Sequence, residues 1–209
     1  MGIVISDIAA KKLSSYFVHN VTVSLNTNDL LTNRYGGKNF YKCFPDIGEE
    51  TKDTILCCMR RMAYKDNPFK LVKMNNHLPE DIDRPVDGTV IDIKVICNIP
   101  EDKFDEEMNK PYNKQIYKYY LEEREYYNNF VKYLTNIINT RGSKISDDLI
   151  HYYNRFKMLS DPKVKFRLDD NLFDHIVLKF TVLVKHPVTE GSKLAGRYGN
   201  RHIVGLIMY

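Results

Sequence analysis

A short segment near the C-terminal end of the chain, EGSKLAGRYGNRH, combines glycines with regularly spaced cations. Lys193, Arg197 and Arg201 follow one another at intervals of four residues, a spacing that would place them on one face of a helix. Gly196 and Gly199 fall inside that span, and glycine costs about 1 kcal/mol per helical position relative to alanine. We therefore predict a tight basic loop that leaves a strand.

Such a loop has the chemistry of a phosphate-binding site. Glycines let backbone amides come close to a ligand, lysine supplies a mobile point charge, and arginine grips phosphate oxygens through two nitrogens. The segment lacks the GK[ST] of a P-loop and the spacing of a dinucleotide-binding fingerprint. On composition alone an ordinary solvated turn is the simpler interpretation, and a phosphate-binding loop is the alternative.

The bulk composition is that of an ordinary soluble protein. The 209 residues are 43% hydrophobic and 28% charged, and the net charge of +4 permits contact with a polyanion without requiring it. No apolar run reaches the length that spans a bilayer, and the N-terminal residues lack the order of a signal peptide. We expect a cytoplasmic protein with no membrane partner.

Four cysteines are present, at Cys43, Cys57, Cys58 and Cys97. They form no CxxC pair and match no histidine at zinc-site spacing. We predict buried free thiols in a reducing compartment, with a zinc site as the alternative.

Two segments have the alternation of half-buried strands. In GTVIDIKVI, apolar Ile91, Ile93 and Val95 alternate with polar Asp92 and Lys94, which predicts one dry and one wet face. IVLKFTVLVKH alternates in the same way, and its predicted dry residues are Leu178, Phe180, Val182 and Val184.

The N-terminal part is predicted to mix strands, a helix and loops. GIVIS and VTVSL (Val21–Leu25) have strand patterns and are joined by the helical stretch DIAAKKLSS, whereas NTNDLLTNRYGGKNF is typical of a loop. A helix is predicted over DIGEETKDTILCCMRRM, whose apolar residues recur at near-helical spacing. These residues are Ile47, Ile55, Cys58, Met59 and Met62.

A helical region separates the two alternating strands. Apolar residues with a period near 3.6 predict a helix from Asn109 to Arg141, with Pro111 in its first turn and Gly142 as its stop. Ser146 is predicted to cap a second helix, so that the two form an antiparallel hairpin. Its many tyrosines favour core packing, with stacking on nucleic-acid bases as the alternative.

The segment GSKLAGRYGNRH resembles the GDK-x-AGRHGNKG signature of the β (second-largest) subunit of multisubunit DNA-dependent RNA polymerases. Other segments resemble elements of that family in the same order: GIVISD is similar to SILVSE, FPDIGEE to IPNVGE, RPVDG to the RVP-x-G turn, and GTVIDIKVI to the strand after the flap. These collinear matches extend over nearly all 209 residues. Divergence elsewhere favours a distant member of the family and suggests a phage as its source.

The resemblance implies an α+β fold with three parts. Residues 1–99 would form a flap or wall region that ends in a barrel strand, and residues 100–168 an inserted antiparallel helical hairpin. Residues 169–209 would form part of the catalytic double-psi β-barrel, including the basic loop.

The resemblance also implies the site residues. Lys193 and Arg201 match two catalytic lysines that lie near the RNA 3′ end and the incoming nucleotide in the family. Arg197 and Asn200 match the signature and would bind substrate or RNA and organise the loop. The family has Asp, His and Gly where this chain has Ser192, Tyr198 and His202, and the lost glycine leaves the local backbone conformation open.

The partners and cofactor follow from the same resemblance. They are β′-type and other polymerase subunits, template DNA, the RNA transcript, nucleoside triphosphates, and magnesium ions (Mg2+) held mainly by the β′-type partner and not by this chain alone. The family's acidic pair would precede Met1-Gly2, and the barrel would continue beyond LIMY. We expect an excised piece or one chain of a split subunit, inactive alone, in the cytoplasm of a bacterial host.

For charged residues outside the basic loop, the sequence gives less specific predictions. Asp81 and Asp83, and the adjacent Asp169-Asp170, are predicted to be solvated loop acids rather than a metal site. A positive RNA-exit surface, or else a simple lysine-rich surface, is predicted from Arg60, Arg61, Lys65, Lys70 and Lys73.

The sequence leaves two other functions open. The chain is alternatively a non-catalytic binding module that docks protein or nucleic acid, for example as a decoy, inhibitor or docking subunit of a polymerase. A self-sufficient nucleotide-binding enzyme is a third interpretation, against which the lack of a convincing carboxylate site counts.

Overall fold

The fold combines helices with several small sheets. A computed structural model describes residues 2–61, 81–141, 145–161, 167–168, 171–172 and 175–208. Within these ranges the chain has four helices, three three-stranded sheets and one two-stranded sheet, which confirms the predicted α+β class. In chain order the elements are β1 (Gly2–Ser6), α1 (Asp7–Lys12), β2 (Ser15–Leu25), β3 (Asp29–Leu31), β4 (Ile55–Arg61), β5 (Ile82–Pro85), β6 (Thr89–Cys97), α2 (Glu101–Met108), α3 (Lys114–Arg141), α4 (Asp147–Ser160), β7 (Arg167–Leu168), β8 (Asn171–Leu172), β9 (Ile176–His186), β10 (Lys193–Ala195) and β11 (Arg201–Met208).

The central sheet has the strand order β2-β9-β6 and is antiparallel throughout. On β9, Leu178, Phe180 and Val182 are buried, whereas Lys179 between them is exposed. This confirms the predicted alternation over residues 178–182, because side chains two residues apart share one face of a strand. Val184, which was also predicted to be dry, is half-buried. The buried face of this sheet supplies half of the buried residues of the main core.

Strand β6 departs from its predicted pattern at one residue. Ile93 and Val95 are buried as predicted, but Ile91 is 42% exposed. The register between β6 and β9 shifts between Val90 and Asp92, so Ile91 is the extra residue of a β-bulge. The bulge turns Ile91 outward and leaves Val90 on the buried face, which the alternation of residue types alone does not indicate.

The helix predicted over DIGEETKDTILCCMRRM is wrong, since Ile55–Arg61 form strand β4. This strand pairs antiparallel with β3 on one side and β5 on the other, and residues 56–60 are all buried. A strand buried on both faces shows no alternation, and periodicity does not separate a short apolar run of this kind from a helix. Met62, part of the predicted helical pattern, lies outside the described residues.

Both neighbours of β4 lie in segments without a predicted strand. β3 lies inside the asparagine-rich stretch that was expected to be a loop, and its Leu30 and Leu31 are each 1% exposed. β5 lies in the polar stretch that ends at Pro85. Both strands are short, so pairing with β4 rather than intrinsic propensity accounts for them.

The helical region is divided differently from the prediction. Helix α2 comes first, and α3 begins at Lys114, so Pro111 precedes the helix instead of lying in its first turn. Ser146 caps α4 as predicted, because its hydroxyl accepts a hydrogen bond from the Leu149 amide at 3.4 Å. Gly142, the predicted stop, lies outside the described residues. No described helix has the length and apolar character needed to cross a lipid bilayer.

Helices α3 and α4 pack as the predicted antiparallel pair. Arg124, in the first half of α3, donates a hydrogen bond to the carbonyl of Ser160 at the end of α4 (2.9 Å). Further along α3, the Phe130 ring meets the edge of Phe156, earlier on α4, with centroids 4.5 Å apart. Contacts therefore move back along α4 as the chain advances along α3. The domain boundaries at 99 and 168 stay a prediction.

The cysteines agree with the thiol prediction. All four are free, with Cys43, Cys57 and Cys58 buried and Cys97 half-buried. Burial raises the pKa of the Cys57 and Cys58 thiols to about 12 and that of Cys97 to about 11. These thiols are protonated at neutral pH, so they serve the core as small apolar side chains.

A charged cluster closes the segment FPDIGEE against α3. Lys42 Nζ lies 2.7 Å from an oxygen of Asp46 and 2.6 Å from one of Glu49, and the Tyr119 hydroxyl donates to Asp46 at 2.5 Å. Burial acts to raise the pKa of Asp46, but the hydrogen bonds from Lys42 and Tyr119 outweigh it, so the pKa is lowered. The hydrogen bond from Lys42 also lowers the pKa of Glu49.

This cluster predicts a loss of stability in acid. A carboxyl whose pKa is lower in the folded state stabilises the fold above its unfolded pKa of about 4, and that stabilisation is lost as the pH falls through the folded value. We expect the free energy of unfolding, measured with urea, to fall between pH 6 and pH 3, and to fall less steeply in Asp46→Asn. The exposed Asp87 provides the control: an Asp87→Asn variant with the same flattening would contradict this assignment.

Candidate functional site

The basic segment forms a β-hairpin rather than a helix. Strands β10 and β11 pair antiparallel, with Lys193 opposite Ile203 and Ala195 opposite Arg201. The predicted tight turn is present, but the predicted loop is shorter than expected because β10 occupies part of it. The hairpin supplies two of the three strands of the β1-β11-β10 sheet.

The strand register places Lys193 and Arg201 on the same face of the hairpin. Lys193 shares its face with Ala195, two residues further on, and Ala195 lies directly opposite Arg201. The two cations therefore occupy diagonal positions, whose β-carbons in an antiparallel pair are about 7 Å apart. Both residues are exposed, and neither forms an ion pair with any residue that the structure describes. They are placed to meet one anionic ligand together.

The turn between the strands explains the glycines of the segment. The Gly199 amide donates to the Gly196 carbonyl (3.1 Å), and the Gly196 amide donates to the Asn200 carbonyl (2.8 Å). Gly199 has a φ of +84°, the left-handed conformation that closes three-residue hairpin loops and favours glycine. A β-carbon on Gly196 would lie 2.2 Å from the Asn200 side-chain oxygen. The backbone conformation therefore favours glycine at 199, and a larger residue at 196 would displace the Asn200 side chain.

The remaining signature positions lie in or next to the turn. Arg197 and Tyr198 form its exposed tip, and Tyr198 is 95% exposed. The Asn200 side-chain nitrogen lies 3.3 Å from Nε2 of His202. His202 itself is paired with Leu194 in regular strand, so the glycine it replaces in the family signature is not needed for a left-handed backbone here.

A second turn holds the start of the hairpin. The Ser192 amide donates to the Thr189 carbonyl at 3.0 Å, and Gly191, with a φ of +89°, takes the position of this turn that favours glycine. The Gly191 amide donates to the Val204 carbonyl at 2.7 Å, which ties the turn to β11. The hairpin is therefore fixed at both ends of β10.

The face that carries the two cations is otherwise apolar and open. Pairing of β1 with β11 sets Val4 beside Leu206, and Ile203 lies opposite Lys193. We call this surface the open face, defined by Lys193, Arg201 and four apolar side chains that are between 48% and 59% exposed. These four are Val4, Ile203, Leu206 and Met208.

Not all of the acidic residues that were predicted to be solvated are exposed to solvent. Asp81 forms a two-pronged ion pair with Arg60, with Nε–Oδ1 and Nη2–Oδ2 distances of 2.6 Å and side chains that are only 1% and 5% exposed. The solvated interpretation is thus wrong for Asp81, because this residue directly precedes strand β5, which pairs with β4. Asp83 lies on β5 and is half-buried. Asp169-Asp170 lies outside the described residues.

The predicted RNA-exit surface needs the same correction. Arg60 is buried by its pairing with Asp81 and is not part of any surface. Arg61 is exposed but lies 3.3 Å from Asp29. Lys65, Lys70 and Lys73 lie outside the described residues, so their contribution stays a prediction.

The sequence left open whether the tyrosines of the helical hairpin pack in the core or are exposed for stacking. The structure contains tyrosines of both kinds. Tyr112 and Tyr119 are buried, whereas Tyr126, Tyr133 and Tyr152 are between 52% and 61% exposed. The 3.6-residue period does not distinguish the two groups, since exposure depends on where α4 and β6 cover α3. Exposed aromatic rings here are available to a ligand.

The described residues contain no group of three or more histidine, cysteine or acidic side chains placed to hold a metal ion. The charged side chains of the β10–β11 hairpin itself, Lys193, Arg197 and Arg201, are all cationic, so this set suits phosphate oxygens. That the partner subunit holds the magnesium ions stays a prediction.

Comparison with family models and with curated proteins assigns no class to this chain, so its class is inferred from the geometry of the site. No protein-family model matches the chain. No curated protein matches it at a significant level. The shared face of Lys193 and Arg201 is the feature on which a functional assignment depends.

Proposed function

We propose that this chain is part of a β-type subunit of a multisubunit DNA-directed RNA polymerase, in which the β10–β11 hairpin binds phosphate groups at the RNA 3′ end or on the incoming nucleotide. The observation that carries the proposal is the placement of Lys193 and Arg201 on one face of a single hairpin. The collinear resemblance of five segments to the β subunit supplies the polymerase context.

The two cations have complementary roles. Lys193 contributes a mobile point charge, and Arg201 contributes several N–H donors in a fixed planar arrangement. Both attract phosphate oxygens, and they stabilise the negative charge that spreads over the phosphoryl group during transfer. Arg197 and Asn200 lie in the turn, where they shape the loop and add contacts to substrate or RNA.

Magnesium ions supply the Lewis-acid chemistry of nucleotide addition in the assembled enzyme. We expect carboxylates of the β′-type partner to hold them, because the hairpin itself offers cations. This division of labour makes the chain inactive alone. Its residues bind and orient phosphates while the partner provides the metal ligands.

The open face favours an assembled state. Apolar side chains that remain exposed as a group mark surfaces that another chain covers, and burying them stabilises the assembly by about 25 cal/mol per Å². We expect β′-type and other polymerase subunits on the apolar part, with RNA and nucleotide at the cations. The bacterial cytoplasm, that of a host if the chain is phage-encoded, suits such an assembly.

The test is the Lys193→Ala variant in the assembled enzyme. Loss of one charge-assisted hydrogen bond of about 1.5–3 kcal/mol predicts nucleotide addition roughly 10- to 100-fold slower, with assembly unchanged. The readout is the elongation rate on a primed template, together with the subunit composition by gel filtration.

Lys185→Ala is the matched control, because Lys185 is an exposed lysine on β9 outside the hairpin. Lys193→Arg keeps the charge and should retain more activity than Lys193→Ala. An elongation rate that Lys193→Ala leaves unchanged in a correctly assembled enzyme would remove the catalytic role and favour the non-catalytic binding module.

A further inference from the structure

Two adjoining cavities lie between strand β6 and the α3–α4 hairpin, away from the basic hairpin. Their volumes are about 610 Å³ and about 340 Å³. They share five lining residues, so they form one continuous cleft, and the larger volume is in the range of small-molecule sites. The shared residues are Lys94, Glu123, Tyr127, Arg155 and Leu159.

The smaller cavity concentrates positive charge. Lys94 of β6 and Lys179 of β9 lie directly opposite each other in the antiparallel ladder. Like charges in this position destabilise a sheet. Arg155 of α4 lines the same cavity, and so does Arg124 of α3. Lys94, Lys179 and Arg155 are exposed to solvent, which screens part of this repulsion and leaves the three side chains accessible to an anion.

These cations are poorly neutralised within the part of the chain that the structure describes. Neither Lys179 nor Arg155 forms an ion pair there, and Lys94 reaches only Asp92, at 3.9 Å and on the surface. Glu123 lines the smaller cavity and offsets part of this charge, and hydrogen bonds from the Tyr127 hydroxyl (2.6 Å) and the Val95 amide (2.9 Å) hold its two oxygens in place. An external anion would relieve the repulsion.

The larger cavity is lined by aromatic rings from both helices. Tyr126 of α3 is 59% exposed and Tyr152 of α4 is 52% exposed, and both line the cavity. Tyr127 and Phe156, with centroids 5.7 Å apart, join the helices beneath them. Exposed rings on two facing helices offer stacking surfaces to a planar group.

Two carboxylates complete the larger cavity. Asp92 and Glu122 line it, and Glu122 accepts no hydrogen bond from any described residue. Carboxylates accept hydrogen bonds from exocyclic amino groups, as in the recognition of cytosine. The larger cavity therefore suits a planar heterocycle that carries an amino group, next to a place that suits a phosphate.

We propose that this cleft binds a nucleotide unit, with its phosphate on Lys94, Lys179 and Arg155 and its base against Tyr126 and Tyr152. The unit is either a free nucleotide or one residue of a single-stranded nucleic acid. This site is separate from the β10–β11 hairpin, because no residue of that hairpin lines either cavity.

The test measures binding of a fluorescein-labelled hexa-adenylate RNA to the 209-residue chain by fluorescence anisotropy, at several salt concentrations. Lys179→Gln is expected to weaken binding about tenfold at low salt and to lower the slope of log K against log salt by about 0.7, the value for one phosphate contact on a single strand. Lys185→Gln removes the same charge from the same strand outside the cleft and should change the affinity less than twofold.

A second pair of variants, one in the cleft and one control, tests the aromatic part of the cleft. Tyr126→Ala is expected to weaken binding about tenfold, in the range for loss of one base–aromatic stack. Tyr133 is on the same helix and is 61% exposed, close to the 59% of Tyr126, but does not line either cavity. Tyr133→Ala should therefore leave the affinity unchanged.

The outcomes separate the sources of the ligand. AMP that competes with the labelled RNA and shows the same variant dependence indicates a mononucleotide site, and RNA binding without AMP competition indicates a strand-binding cleft. Equal losses for the cleft and control variants, or no binding of either ligand at low salt, overturn the proposal. Amide chemical shifts of the wild-type chain titrated with AMP provide a second measurement that needs no variant to fold.

Discussion

Replacing Arg60 by methionine is expected to lower the free energy of unfolding by about 3–5 kcal/mol, the usual cost of removing one partner from a buried ion pair. Arg60 and Asp81 meet through two 2.6 Å contacts, and both side chains are almost fully buried. The hydrogen bonds that Arg60 donates to the Asp81 carboxylate raise the pKa of Arg60, so the guanidinium stays charged. The variant would leave the Asp81 carboxylate buried without its main partner.

The double variant Arg60→Met/Asp81→Leu provides the control, because removing both charges avoids a buried carboxylate. It should recover much of the lost stability, measured by urea unfolding followed by circular dichroism. A loss below about 1 kcal/mol for Arg60→Met would mean that the pair is solvated, and would contradict the packing of β4 against β5.

Replacing Phe180 by alanine is expected to cost about 3–5 kcal/mol through the cavity that it leaves. Phe180 is 1% exposed on the central strand β9, and its ring meets Phe44 edge-to-face with centroids 5.1 Å apart. Phe44 in turn lies 6.0 Å from the Tyr119 ring of α3. Phe180 thus joins the central sheet to the helical hairpin.

Phe40→Ala serves as the matched control, because Phe40 is 60% exposed. It should change the stability by less than about 1 kcal/mol in the same thermal or urea unfolding experiment. Similar losses for the two variants would show that β9 does not hold the centre of the core.

The sequence predicted the structure best where the signal lies in neighbouring residues. The alternation over residues 178–182 of β9 and the cap at Ser146 both proved correct, because each depends on local residue types. Strand β4 failed because it is buried on both faces, and Ile91 failed because a bulge shifts the register. Both failures arise from pairing with distant strands, which periodicity does not encode.

The same limit applies to the functional residues. The sequence singled out Lys193 and Arg201, but only the β10–β11 register places them on one face. The opposition of Lys94 and Lys179 depends on pairing between strands separated by the whole helical region, so no local motif indicates it. The Arg60–Asp81 pair was missed for the same reason.

The polymerase assignment is tested most directly by crosslinking from the RNA 3′ end. The tagged chain is isolated in its assembly, extended with a transcript that ends in 4-thiouridine, irradiated, and mapped by mass spectrometry. The assignment predicts crosslinks within residues 193–201. A transcript that is extended by the assembly but crosslinks elsewhere, with none in this hairpin, would contradict it.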